Sequence, residues 1–307
     1  MSAARPVRPR PGALAAVLLL LAAVSLRGQS PWTAVAADAH RSGKFRNRAL
    51  QESSGVAVSR RAPGILWTFN DSGNPPWLFA TDTLGTDRGV FEVTGARNYD
   101  WEAMALAPCD TSTCIYLADT GDNLQQRPSV RLYRLPEPSP ADRAGPERRR
   151  TAPAEALDVR LPGGARDVEA MFVDPQGDTY LVSKGFLSPV RLYRVPADAW
   201  ERGEVVADSL GSLPIDSGAG LGQLVTDAAL APNGRDVAVR TYHDIYFFRL
   251  TEDGRLRVGP DRLACSVAGL ESQGEGVAWL DDSTLVLTSE RGYAAVGTVS
   301  VARCRKG

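Results

Sequence analysis

Histidine is nearly absent: His40 and His243 are the only two in 307 residues. A histidine-rich metal centre is therefore excluded, and a Ser-His-acid triad would have to be built on His243, because His40 lies close to the processed end of the chain. The four cysteines contain no Cys-x-x-Cys pair, which removes a zinc ribbon or finger. G-x-S-x-G, H-E-x-x-H, a P-loop and a G-x-G-x-x-G opening a helix are all missing. No sign of charge dominates, since 35 Lys and Arg face 36 Asp and Glu, so the chain has no basic field to hold nucleic acid by counterion release. Long apolar runs are lacking too. The longest, Ala13 to Leu26, has 14 residues, short of the roughly 20 that span a bilayer as a helix.

That run follows Arg5, Arg8 and Arg10 and leads to Ala34-Val35-Ala36. A basic start, a short apolar core and a small-residue exit describe a secretory signal peptide, here residues 1–36, followed by one domain at 37–307. No cysteine follows the run, which disfavours a lipoprotein. An uncleaved anchor is the alternative. Cleavage after Ala36 removes four arginines and no acid, leaving an acidic body of formal charge −5. The expected location is periplasmic or extracellular, with no membrane span in the mature chain. Export into an oxidising compartment predicts disulfides. Cys109 and Cys114 bracket a turn between two strands and are expected to pair, leaving Cys265 for Cys304.

What the chain has in quantity is turns, with 29 Gly and 21 Pro scattered without period, as an all-β protein requires. A five-fold repeat runs from about residue 45 to the end. WEAMALAP from Trp101 and VEAMFVDP from Val168 are its clearest copies, joined by SSGVAVS from Ser53, TDAALAP from Thr226 and GEGVAWL from Gly274. Each copy reads as a strand that ends in a turn, then a second apolar strand that ends in a polar cluster, then a third strand such as VRLYRL or IYFFRL, then a weaker fourth. The last copy lacks a fourth strand, and GKFRNRAL before the first copy is expected to fill that place. Four antiparallel strands repeated radially predict an all-β fold, a β-propeller of five four-stranded blades closed by the N-terminal segment. A Pro-rich insertion at about 136–157 reads as a surface loop.

In such a fold the first strands line a central channel, and both polar clusters of each blade meet on one face. The residues opening the first strands are Ser54, Glu102, Glu169, Asp227 and Glu275. Four carboxylates in one ring need raised pKa values, pairing with Arg97 and Arg166, or a cation. An all-oxygen ring of adjustable number suits Ca²⁺, which takes six to eight oxygens at about 2.3–2.6 Å. A second ring gathers Asp71, Asp119, Asp122 and Asn123, Lys184, Arg240, His243, Glu290 and Arg291. Its basic members would bind a phosphate or carboxylate beside the cation. For NDSG and DTGDN, ordinary Asx-turn chemistry is the competing explanation.

The segments NDSGN, GARNYDWEAMA and LADTGDN resemble exported bacterial β-propeller proteins marked by N-D-S-G, D-W-E and G-D-x-G-D-N, over Glu52 to about Pro138. The resemblance implies fold and export rather than a reaction. More weakly, the ring is similar to that of calcium-activated nucleotidases (apyrases), in which Ser and Glu hold a channel cation. On that likeness Ser54, Glu102, Glu169 and Glu275 match, while Asp227 stands where a smaller hydroxyl residue would be expected, and the nucleotide-contacting segments are not recognisable. Phytase-like and sugar-acting propellers are similar at the level of fold. The reading is a secreted propeller with a Ca²⁺ site that binds a small anionic, phosphate-ester-like ligand and, if an enzyme, acts as a metal-dependent hydrolase. The alternative is a non-catalytic module that recognises an extracellular protein or glycan, with the cation purely structural.

Overall fold

Five sheets account for the repeat. The computed structural model describes residues 30–109, 112–140, 147–217 and 220–305. Blade one comprises Ser53–Val58, Leu66–Asn70, Trp77–Thr81 and Gly89–Glu92; blade two comprises Trp101–Cys109, Ser112–Asp119, Val130–Pro136 and Glu155–Arg160. Blade three comprises Val168–Val173, Thr179–Ser183, Arg191–Val195 and Asp208–Ser212. Blade four uses Val225–Leu230, Asp236–Thr241, Asp244–Leu250 and Leu263–Ser266. Blade five uses Gln273–Asp281, Thr284–Glu290 and Thr298–Arg303, completed by Asp38–Lys44. Each first strand packs on the next and the fifth packs on the first, so the ring closes into a five-bladed propeller. Among the described residues no helix is long and apolar enough to cross a membrane.

First strands are buried along nearly their whole length, as in Ser53–Val58 and Val168–Val173, and small residues let five of them converge. A Cβ on Gly276 would lie 2.9 Å from the Val56 backbone nitrogen of the neighbouring blade. Between blades the faces interlock through apolar cores, one of which joins Trp67, Phe69 and Leu78 of blade one to Trp101, Met104 and Ile115 of blade two. Phe69 meets Trp101 edge-on at 5.6 Å, a geometry the aromatic quadrupole favours. Because the four strands of a blade alternate in direction, the second-to-third and fourth-to-first connections share one face, called upper below.

Three boundaries differ from the sequence pattern. The closing strand is Asp38–Lys44 and not GKFRNRAL; its sequence DAHRSGK is mostly polar because it forms an outer blade edge, and an edge strand carries little hydrophobic signal. The fourth strand of blade three begins at Asp208, upstream of the expected GSLPIDSG. Within the insertion, residues 141–146 lie outside the described residues, and its return leg is not a free loop. Arg149–Arg150 adds a parallel edge strand to blade one, while the Arg148 and Arg149 guanidinium groups lie 3.9 and 4.6 Å from the Trp77 and Phe91 ring centres.

Residues 1–29, most of the expected signal segment, also lie outside the described residues. The residues at its expected cleavage point, however, are part of blade four. Thr33–Ala36 pairs in parallel with Leu263–Ser266. Trp32 donates its indole N–H to the Pro214 carbonyl at 2.7 Å and meets Tyr246 and Phe248 edge-on at 4.9 and 5.0 Å. A chain starting at Ala37 should therefore be less stable than one starting at Trp32 by about 2 kcal/mol, from the lost aromatic contacts and strand; equal denaturant midpoints would show that this edge contributes nothing.

Both expected disulfides are present, Cys109–Cys114 across the first hairpin of blade two and Cys265–Cys304 between the outer strand of blade four and the end of blade five. They close chain separations of 5 and 39 residues. Chain entropy gives about 2 kcal/mol for the short loop and about 4 kcal/mol for the long one. Cys304→Ser is thus expected to lower the thermal midpoint more than Cys114→Ser, and the reverse order in a melting experiment would contradict this account of the ring closure.

Candidate functional site

Every first strand carries a β-bulge near its upper end, between Ser53 and Gly55, Trp101 and Ala103, Val168 and Ala170, Val225 and Asp227, and Gly274 and Val277. A bulge inserts an unpaired residue and re-aims its side chain. The inserted residues are Ser54, Glu102, Glu169, Thr226 and, with Gly276, Glu275, all of them buried. Thr226, not Asp227, therefore holds the ring position in blade four. Sequence alignment of the repeat missed this by one residue, since both can open a strand and only the bulge separates them.

Asp227 does different work. Its carboxylate accepts the Ala228 and Val277 backbone N–H groups, each at 2.8 Å, and so ties the first strands of blades four and five. Burial raises its pKa well above the usual value despite those donors.

Three further carboxylates, Asp71, Asp100 and Asp167, complete the centre. Asp71, Asp100 and Glu102 form one set whose oxygens lie within 4.8 Å of one another, and Glu102, Asp167 and Glu169 form a second. Glu102 belongs to both. Asp100 and Asp167 were not singled out from the sequence, although the signal was available: D-W-E and D-V-E repeat an acid two residues before the ring glutamate, on the connection entering blades two and three. Gly121 is required here, because a Cβ at that position would lie 2.3 Å from oxygens of both Asp100 and Glu102. Lys184 stands among the acids, donating to Glu169 at 2.6 Å and pairing with Asp167 at 3.4 Å. The arginines proposed as partners, Arg97 and Arg166, make no ion pair with this ring among the described residues.

The second ring separates into three groups. Asp71 and Glu290 face the centre. Asp119 is paired with Arg127 at 3.0 Å; Asp122 caps its own loop by accepting the Gln126 and Arg127 N–H groups, the Asx-turn behaviour such a sequence favours. Asn123 reaches the centre through its Oδ1, which accepts from the Lys184 ammonium at 3.5 Å. Among the described residues Arg240, His243 and Arg291 make no ion pair with the ring acids, although the buried Arg240 charge acts on Glu275. Arg240 is 1% exposed, its guanidinium taken up by Glu271 and by the Gly276 and Thr288 carbonyls. The His243 ring lies against Gly222, and Arg291 is held by its backbone to Gln51.

Electrostatics follow from the crowding. Burial first, then the neighbouring Glu169, pushes Glu102 well above the usual carboxyl range. Glu169 rises from burial too, against the pull of Lys184. Burial, then Asp71, carries Asp100 from 3.8 to about 6; burial, then Glu290, carries Glu275 from 4.5 to about 8; and burial, then Asp71, carries Glu290 to about 7. For Lys184, burial alone would lower the pKa, but Glu169 and Asp167 outweigh it and hold the ammonium charged.

The fold and this centre define a five-bladed propeller with a buried acidic site on its axis. No protein-family model matches the chain, and no curated protein matches it. Among solved structures it is similar to the PQQ-bound form of aldose sugar dehydrogenase from Streptomyces coelicolor, at 13% identity and TM-score 0.47 over 87% of this chain and 98% of that one. It is similar also to the Malassezia sympodialis allergen Mala s 1, at 11% identity and TM-score 0.49 over 87% and 95%, and to streptogramin B lyase, at 9% identity and TM-score 0.42 over 88% and 98%. No activity passes to this chain at such identities.

Asp227→Ala leaves two buried N–H groups without acceptors and should cost about 2–4 kcal/mol, whereas Thr226→Val should cost less. Chemical denaturation of the two variants checks the assignment, and the opposite order would return Asp227 to the ring.

Proposed function

We propose that the protein binds a small phosphate-ester-like anion at the upper mouth of its channel and hydrolyses it with the help of a Ca²⁺ ion. The observation that carries this reading is Glu102, a buried carboxylate shared by two three-carboxylate sets for which Lys184 supplies the one paired ammonium among the described residues. Like charges so close in a low-dielectric site require protons or a further cation. The donor set is hard oxygen throughout, which fits Ca²⁺. Glu102 and Glu169, with Ser54, Thr226 and Glu275 around them, are the residues that would hold the ion. Bound there, Ca²⁺ would supply Lewis-acid polarisation of a phosphoryl oxygen.

The rest falls to the chain's own groups. Lys184 presents an ammonium to an anionic oxygen at the edge of the acids. Asp100, part-buried beside Glu102 on the connection entering blade two, is the carboxylate placed to accept a proton from an attacking water. Arg127 fixes Asp119, whose carboxylate accepts the Tyr99 and Asp100 N–H groups and so sets the Asp100 backbone. A second reading, recognition of an extracellular protein or glycan around a structural cation, is favoured by the exposure of Tyr99 and Tyr293 on the upper face. Export through the N-terminal segment belongs to both readings.

Glu102→Gln combined with Glu169→Gln separates them. Loss of phosphomonoester turnover at unchanged stability supports hydrolysis, and a lower melting temperature with partner binding retained supports a structural ion. Absence of turnover in the unsubstituted protein with CaCl₂ present, and of any Ca²⁺-induced shift in melting, would contradict the proposal.

A pH dependence follows. Asp100, Glu275 and Glu290 have folded pKa values above their ordinary ones, so their protonation favours the folded state; the stability these three groups contribute is full below about pH 4 and is lost as pH rises through about 6 to 8. Ca²⁺ replaces those protons. The rise in melting temperature on adding CaCl₂ should therefore grow from pH 5 to pH 8, and a shift independent of pH would place the ion away from these groups.

A further inference from the structure

Eight large hydrophobic side chains are exposed among the described residues, and six of them, Tyr99, Leu124, Phe186, Leu187, Leu221 and Tyr293, lie on second-to-third or fourth-to-first connections. The face that carries the acidic centre is thus also the apolar face. Scattered single exposures are ordinary on a soluble protein, but a concentration of them marks a binding surface. Three of the six border one cleft. It measures about 590 Å³ and runs between residues 185–189 on one side and residues 215–217, 220, 221 and 224 on the other, with Phe186, Leu187, Leu221, Pro189, Ile215 and Leu224 among its lining, a size within the roughly 300–1,000 Å³ of small-molecule sites.

Cleft and centre share Lys184. Its backbone carbonyl accepts the Val225 N–H at 3.0 Å, and the next residue, Gly185, lines the cleft; its ammonium reaches Glu169. Gly185 cannot be replaced without strain, since its φ is +85° and a Cβ would lie 2.7 Å from Val190. Leu187 adopts φ 54° while 91% exposed, a left-handed conformation that leucine seldom takes and that concentrates at ligand-binding loops.

We infer that the cleft receives an apolar arm of the ligand whose anionic head lies at the axial centre, so that the substrate class is a free amphiphile: a phosphate-type head joined to an alkyl chain. The inference rests on the anion-binding reading above. Charge favours a soluble amphiphile over a membrane as the occupant. A bilayer of anionic lipid would be repelled by Asp71, Asp100, Asp167 and Glu290, whereas one head group can meet Lys184 while its chain lies along Phe186 and Leu221.

Isothermal titration with n-butyl, n-hexyl and n-octyl phosphate in CaCl₂ tests it. Affinity is expected to tighten about fourfold for each added methylene, and Leu187→Ser with Leu221→Ser, two exposed positions, is expected to flatten that dependence. Equal affinity for all three chains, or a dependence that survives the double variant, would overturn the inference. Flotation with phosphatidylcholine vesicles in the absence of any chain-length preference would overturn it in favour of a membrane surface. Titration with CaCl₂ alone, and the same alkyl series in EDTA, keep the two ideas apart: no Ca²⁺ heat defeats the cation reading, while the chain-length dependence in EDTA still judges the cleft.

Discussion

The structure depends on a single electrostatic constraint, the confinement of several carboxylates within a few ångströms on the axis of a ring. Desolvation and mutual repulsion raise the energy of Glu102, Glu169 and Glu275 as anions, and in a chain of such marginal stability that strain must be balanced nearby. Lys184 balances part of it. The five β-bulges create the problem by turning one residue of each first strand toward the axis, and they also make it useful, because a bulge fixes direction where a regular strand would send alternate side chains into the blade.

The remainder of the fold holds that arrangement rigid. Apolar cores between blades resist any opening of the ring. Asp227 fastens blades four and five, and the buried pair of Arg240 with Glu271, with Arg240 also donating to the Gly276 and Thr288 carbonyls, ties the same two blades. Closure is redundant there: Asp38–Lys44 completes blade five, Thr33–Ala36 extends blade four, and the Cys265–Cys304 bond crosses between them. Reinforcement is concentrated at the seam of blades four and five, where strands from the two ends of the propeller close the ring.

Much of this was legible in the residues. WEAMALAP and VEAMFVDP carry both the strand period and the ring acid, so blades two and three, with Glu102 and Glu169, could be read directly. Blade count and disulfide pairing followed from the same repeat. Other features depend on geometry that no linear pattern encodes. In blade four, TDAALAP offers Thr226 and Asp227 side by side, and only the bulge decides which one faces the axis. Arg240 reads as a ligand-binding cation because it ends an apolar strand like the others, yet its guanidinium is taken up by Glu271 and by the Gly276 and Thr288 carbonyls of blade five. Edge strands such as Asp38–Lys44 and Arg149–Arg150 are polar because they lie at the rim, and so resemble loops.

The central claim is that the acids on the axis exist to hold a cation. Elemental analysis of the protein, purified without chelator and dialysed against metal-free buffer, tests it most directly. One calcium per chain, lost when Glu102 and Glu169 are both replaced by glutamine, is the predicted result; no bound divalent ion, or one retained in the double variant, would contradict it.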